Sequence, residues 1–349
     1  MRISNIRQVQ VLKLLTVAGA IIFASHLVVC QNTGLDRPLK DTESVKGQPY
    51  ERYFTQDRFG RRITFYLSET VETASSLPLI VYVQGSGCSS LFVTRNGRTI
   101  PTLGHSALQQ LSVGKARLMV VEKPGVRFLD QAPNGCQDVA DFNREHSLER
   151  WSEAIESSIR AAQKLPSIGK AHTLIIGHSE GGLVACRVAK DLPEIVTHVA
   201  VLAGGGPSQL FDVLALSRKG TFFAEISENP DAREKFVLDQ LQAIQADPLS
   251  TEKFFFGFTY LRWSTFLASS PIEELVGTRS KIYLAQGTDD SNVDPTSADV
   301  AYAQLRSRGK SVVYDRVIGA DHSFNLKGSP QIDGWRELHK RVLDWFLSS

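Results

Sequence analysis

An excess of charge of either sign is missing from this chain. Its 349 residues carry 39 Lys and Arg against 37 Asp and Glu, a formal net charge of +2. No broad basic or acidic field is therefore available to gather a nucleic acid, and none is expected as a partner. Low-complexity tracts, blocks of like charge and repeats of solenoid period are also missing, which excludes repeat architectures. Among eight histidines no pair has the spacing of a zinc site. The glycine-containing stretch QGSGCSS (84–90) lacks the Lys-Ser/Thr ending of a phosphate loop and the third glycine of a dinucleotide site. No metal or other cofactor is expected.

A long apolar run is lacking too. The N-terminal run LLTVAGAIIFASHLVVC (14–30) falls short of the about 20 residues of a membrane span. Arg2, Arg7 and Lys13 precede it, and a basic flank before a short apolar segment predicts an export signal in residues 1–30. An uncleaved N-terminal membrane anchor and a buried helix are the alternatives. Cys30 ends the run as in a lipoprotein cleavage site, but Val29 stands where that site needs a small residue. The expected location is periplasmic or secreted, with membrane attachment as a variant. Cysteine is sparse, at four, and export permits it to pair. Cys88 and Cys136 lie in loops a few residues beyond apolar strands, and neighbouring strands would bring them within reach of a disulfide. Cys186 falls in a helical pattern and reads as a small buried hydrophobe.

What is present is an alternation of strands and helices. Compact apolar runs at 77–85, 116–125, 172–179, 196–206 and 281–290 end in glycine or turn residues, as central strands buried on both faces do. Helical patterns occupy 147–165, 181–192, 295–309 and 333–349. This predicts an α/β fold for residues 45–349: a mostly parallel, twisted sheet of about eight strands flanked by helices. Strands around 50–69 follow one another without a helix, so that edge is expected to be antiparallel. Residues 207–275 break the alternation after the sixth strand and are expected to form a helical cap over the carboxyl ends of the strands. Their aromatic run FFFGFTYLRWSTF (254–266) is expected mainly to pack the insertion to the body, with some rings left to line a pocket.

Gly177-His178-Ser179-Glu180-Gly181 sits between a strand and a helix, the context of a sharp nucleophile turn. A serine hydroxyl needs a base to take its proton. His322, in the small-residue loop VIGADHSFN after the last strand, is the candidate, and His178 reads as structural. The imidazole needs an acidic orienter. Asp290 in QGTDDSNVDP fits best, Asp289 is the runner-up, and Asp294 reads as the cap of the helix at Pro295. Oxyanion donors are expected from the amides of Glu180 and Ser86, with Gly87 as the alternative to Ser86. The Glu180 carboxylate either faces a cationic or amide-bearing substrate, is solvated, or is paired within the fold.

The segments GHSEGG, QGTDDSNV, GADHSF and VVEKPGV together resemble an α/β-hydrolase over about residues 50–349. Gln84 replaces the histidine that often begins that family's oxyanion loop. The resemblance implies a serine hydrolase cleaving carboxylic esters through an acyl-enzyme, with Ser179, Asp290 and His322 as its triad. A serine peptidase of the prolyl-oligopeptidase type, acting on small peptides or amides, is the alternative, and a non-catalytic binding scaffold is a third. The expected partner is a small-molecule ester or amide; oligomeric state is not legible.

Overall fold

Runs that are apolar without a break become the centre of one sheet. The computed structural model describes residues 38–41, 45–70 and 76–348, and the readings of residues 1–30 and Cys30 lie outside these. In chain order the strands are β1 (Leu39–Lys40), β2 (Tyr50–Gln56), β3 (Arg62–Ser68), β4 (Leu77–Val83), β5 (Phe92–Arg95), β6 (Arg98–Pro101) and β7 (Arg117–Val121). There follow β8 (Ile168–His178), β9 (His198–Leu202), β10 (Phe254–Phe255), β11 (Phe258–Thr259), β12 (Lys281–Gly287) and β13 (Val312–Val317). Two pairs, β5–β6 and β10–β11, are separate antiparallel hairpins. The other nine form a sheet in the order β1-β2-β3-β7-β4-β8-β9-β12-β13.

From β7 to β13 every pairing in that sheet is parallel, and from β1 to β7 every pairing is antiparallel. The antiparallel edge and the parallel body are as expected. The ninth strand is β1, two residues that pair with Tyr53 and Phe54 and are too short to carry a sequence pattern.

The helices are α1 (His105–Ser112), α2 (Ala140–Glu145), α3 (Leu148–Ala162), α4 (Glu180–Asp191), α5 (Gln209–Arg218), α6 (Pro230–Ala246), α7 (Tyr260–Leu267), α8 (Pro271–Gly277), α9 (Pro295–Ser307) and α10 (Gly334–Ser348). Alternate side chains of a strand face opposite sides, so each central strand feeds two cores. Val81, Ile175, Val199 and Leu284 pack under α3, α4 and α9, through Trp151, Ile155, Val184, Val188 and Leu305. Ile80, Ile176, Ala200 and Tyr283 pack under α1 and α10, through Leu108, Leu338, Val342 and Phe346. Burying each such aliphatic side chain contributes roughly 1.5–3 kcal/mol.

Residues 207–275 hold α5 to α7, the β10–β11 hairpin and the first five residues of α8, which runs on to Gly277. Val213, Phe223, Val237, Ile244, Phe255 and Trp263 make a third, separate core. The aromatic run therefore divides its labour. Phe266 joins the core of the main body, while Phe255 and Trp263 hold the inserted segment to itself.

Candidate active site

Strand β8 ends at His178 and α4 begins at Glu180, leaving Ser179 alone on the turn between them with φ of 54°. A non-glycine residue adopts this conformation only under constraint. The constraint is main-chain: the Ser179 amide donates to the Leu202 carbonyl at 2.9 Å, and the Ser179 carbonyl accepts from the Gly182 amide at 2.9 Å. The flanking glycines are sterically required. A Cβ on Gly177 would stand 2.1 Å from the Gly181 carbonyl oxygen, and one on Gly181 would stand 2.4 Å from the carbonyl oxygens of Val83 and Gln84.

Asp290 follows β12, and His322 follows β13, the neighbouring strand. The His322 Nδ1–H donates to both carboxylate oxygens of Asp290, at 3.0 and 2.9 Å. Three more donors hold that carboxylate: the amides of Asn292 and Val293 at 2.8 and 3.0 Å, and the Gln286 side-chain amide at 2.9 Å. Burial alone would raise the Asp290 pKa, but the bond and charge of His322 and the two amides together hold it below the ordinary carboxylate value. The carboxylate is therefore ionised and aimed at the imidazole, which fixes the tautomer with a free Nε2. Asp289 instead lies 3.9 Å from Lys327, and Asp294 caps α9 by accepting from the Thr296 amide at 3.0 Å. The His178 Nε2–H donates to the His322 carbonyl at 3.0 Å, and burial holds its pKa at about 4. His178 is thus a neutral strut for the loop that carries His322.

Ser179 and His322 open onto one cavity of about 670 Å³. Gly85 and Ser86 border it on one side, and Asp212, Phe222, Phe256 and Trp263 from the inserted segment border it on the other. The loop after β4 passes close to the serine, since a Cβ on Gly85 would stand 3.2 Å from the Ser179 Cβ. Gly87, with φ of 122°, is two residues further along that loop. Gln84 is wholly buried, and its amide donates to the Val121 carbonyl at 3.4 Å.

Beneath this loop lies a buried group of charges that sequence reasoning missed. The Lys123 ammonium donates to the carbonyls of Gly85 and Gly87, each at 2.8 Å. Burial lowers its pKa to about 8, against the pull of Glu180 3.8 Å away. The Glu180 carboxylate has no exposed surface. It accepts from the Ser86 hydroxyl at 3.1 Å, from His146 Nε2 at 2.9 Å, and from Arg262 through two bonds. Burial opposes its charge, but Arg262 and His146 outweigh burial and hold the carboxyl well below its usual range. The pairing within the fold, not the substrate-facing alternative, describes this side chain. A signal existed for Lys123: two ionisable residues, Glu122 and Lys123, directly follow an apolar strand at its carboxyl end. Arg262 is a lone charge inside an aromatic run and gave no pattern of its own.

The Cys88–Cys136 disulfide closes the far side of the same loop, with Cα atoms 5.6 Å apart. Cys186 is free and buried. Among the described residues no group of three or more His, Cys, Asp or Glu is arranged to hold a metal ion. No helix among them is long and apolar enough to cross a membrane.

The mixed sheet, the serine turn between β8 and α4, and the cavity at the carboxyl ends of the strands are those of an α/β-hydrolase. Comparison with known proteins agrees. The chain belongs to the Esterase family, whose model matches residues 57–341, and it is a hydrolase. It is similar in fold to Est1E from Butyrivibrio proteoclasticus, at 13% identity and a TM-score of 0.53, over 85% of this chain and 99% of that one. It is also similar to an acylaminoacyl peptidase from Pyrococcus horikoshii, at 14% identity and a TM-score of 0.54, over 86% of this chain and 42% of that one. A puromycin-hydrolyzing peptidase from Mycobacterium tuberculosis matches at 15% identity and a TM-score of 0.53, over 89% of this chain and 39% of that one. The chain thus spans about two fifths of these two peptidases. Comparison with curated proteins gives no match.

Proposed function

We propose that this protein is a serine hydrolase that cleaves carboxylic esters through an acyl-enzyme. Ser179 is its nucleophile, His322 its general base and Asp290 the orienting acid. The observation that carries the reading is that an imidazole fixed by a buried carboxylate shares a cavity with a serine held at positive φ at a helix start. His322 takes the Ser179 proton as the oxygen attacks the acyl carbon. The leaving alcohol departs with that proton, and water, deprotonated by His322, releases the acid. The tetrahedral oxyanion rests on the amides of Glu180 and Ser86, with Gly87 as the alternative to Ser86, and each donor contributes on the order of 10²–10³ in rate. Residues 207–275 act as a cap, supported by Phe222, Phe256 and Trp263 lining the cavity. The disulfide supports export to the periplasm or medium, with residues 1–30 as signal or anchor.

Two substitutions test this, Ser179→Ala and His322→Ala. Each is expected to lower turnover of p-nitrophenyl acyl esters by at least about a thousandfold, and Ser179→Ala is expected to lose fluorophosphonate labelling. Labelling that persists in Ser179→Ala would overturn the nucleophile assignment. Parallel assay of aminoacyl and prolyl amides separates esterase from peptidase.

A further inference from the structure

Asp212, on α5, differs from the other carboxylates around the cavity. Glu180 and Asp290 are enclosed and paired, with Arg262 and His146 in one case and His322 in the other. Asp212 lines the cavity beside Ser179 and His322. One of its oxygens accepts from the Asp294 amide at 3.2 Å and from the Ser297 hydroxyl; the other meets no donor among the described residues. Three residues earlier on the same helix, Gln209 also lines the cavity, and its buried side-chain oxygen has no hydrogen-bond partner among the described residues. Residues three apart on a helix share a face. Among the described residues no Lys or Arg borders the cavity; its ionisable lining is Asp212, His178, His322 and Tyr82, whose hydroxyl donates to the Leu103 carbonyl at 2.9 Å.

A buried acceptor without a donor, as the Gln209 oxygen is among the described residues, is costly to maintain. Burial pushes the Asp212 carboxyl up to about 7; the Ser297 and Asp294 hydrogen bonds oppose that rise, and the carboxylates of Asp294 and Asp290 add to it. An ammonium group brings the missing counter-charge and several N–H donors at once. Phe222, Phe256 and Trp263 also line the cavity, and aromatic rings are favourable neighbours for a cation; Trp263 already carries the Arg262 guanidinium 4.1 Å from its ring centre.

We infer that Asp212 and Gln209 form a recognition site for a cationic nitrogen on the substrate, so that the preferred ester carries an ammonium group on its acyl part. The inference rests on the reading of Ser179 as the nucleophile. It relocates to α5 a preference for cationic substrates that the paired Glu180 is unable to supply. The charged groups acting on Asp212 from neighbouring elements are Asp294 at the start of α9 and Asp290 after β12; the His322 imidazole, after β13, lines the same cavity. Lys219, at the end of α5, is engaged with Asp294 at 2.5 Å. Only the ionised form of Asp212 pairs with a cation, so the preference rises as pH increases through about 7 and then levels off.

The test compares p-nitrophenyl esters of ω-aminoacyl chains of graded length with methyl-terminated isosteres of the same length. The readout is the ratio of kcat/KM for the charged ester to that for its neutral isostere, so effects common to both esters, general losses of activity included, cancel. At one chain length the ratio is expected to reach about ten or more and to fall as pH drops below 7. In Asp212→Asn, which keeps the acceptor for Asp294 and Ser297, the ratio is expected to fall about tenfold and lose its pH dependence. A wild-type ratio near one at every length and pH overturns the inference, whether or not the variant folds. If wild type turns over neither ester and Ser179 resists fluorophosphonate, the nucleophile reading fails and takes the inference with it.

Discussion

Lys123 places an ammonium beneath the loop that borders the nucleophile and gives both of its short bonds to main-chain carbonyls, at Gly85 and Gly87. A trans peptide points its N–H opposite to its C=O. Holding the Gly85 carbonyl on Lys123 therefore fixes the direction of the Ser86 amide, the proposed oxyanion donor. Lys123→Met keeps the volume of the stem and removes both bonds, while Glu180 retains Arg262 and His146. The expected result is a fall in kcat of about 10–100-fold, part of what a lost donor costs, with KM little changed and a parallel loss of affinity for a boronic-acid analogue. Unchanged kcat and boronate affinity in a variant that is merely less heat-stable would reduce Lys123 to a structural role. Lys123 also shows where reading by residue stops. Ser179, Asp290 and His322 were legible because each follows an apolar strand in a turn of small residues. Asp212, Arg262 and Lys123 act through partners distant in sequence, as Arg262 does on Glu180 82 positions away, and no local spacing records such a contact.

One cross-link joins the loop after β4 to the turn before α2. Cys88 directly follows Gly87, and Cys136 opens the short helical turn Cys136–Asp138, so the disulfide closes a segment of 48 residues. Loop-closure entropy for that length gives about 4 kcal/mol, within a usual span of about 2–5 kcal/mol. The double substitution Cys88→Ala with Cys136→Ala is expected to lower the unfolding free energy by about 2–4 kcal/mol in urea titration. It is also expected to reduce kcat, because the freed loop carries Ser86. A urea midpoint equal to that of wild type would dispose of the stabilising role. The pair was readable because Cys88 sits just past β4 and β4 pairs with β7, the strand before Cys136; Cys136 itself lies well beyond the end of β7 at Val121, not a few residues past it as expected. Strands buried on both faces and long helices such as α3, α9 and α10 were equally plain, since each repeats its signal over several residues. Helix α1 was not anticipated: it is eight residues long and starts after a left-handed Gly104. The β5–β6 hairpin went unread although Asn96-Gly97, with φ of 51° and 71°, is a strong hairpin turn signal. Strand–helix alternation, the dominant rhythm of the chain, offers no place for an isolated hairpin.

Acid tolerance of the folded chain depends on two opposed sets of buried groups. Burial holds His105, His146, His178 and His198 at about 4 and His339 at about 3, below the ordinary 6.5. As pH falls from 6.5 towards 4, the unfolded chain takes up protons that these five rings refuse, so they remove stability over that window. Burial acts the other way on Glu122, Glu156 and Asp212, each held at about 7. Between pH 7 and the unfolded values of 4.5 and 3.8, the folded protein binds protons that the unfolded chain does not, so stability rises as pH falls. Five histidines against three carboxyls leave the unfolded chain about two protons ahead, and the net loss down to about pH 4.5 is shallow. Below that, the raised carboxyls become protonated in both states and their offset ends. Glu180 and Asp290, held low in the fold, then add to the proton deficit of the native state, and the decline steepens. Urea midpoints measured from pH 8 to pH 4 are expected to trace this two-slope curve. His339→Phe isolates one contributor, because both ring nitrogens of His339 are buried without partners among the described residues and its ring packs 4.6 Å from Trp335. That substitution removes one refused proton without leaving a donor or acceptor stranded, so the shallow limb should flatten by about one proton. Glu122→Gln should steepen the same limb by a similar amount; if it does not, the opposition between buried rings and buried carboxyls is not what sets the acid limit.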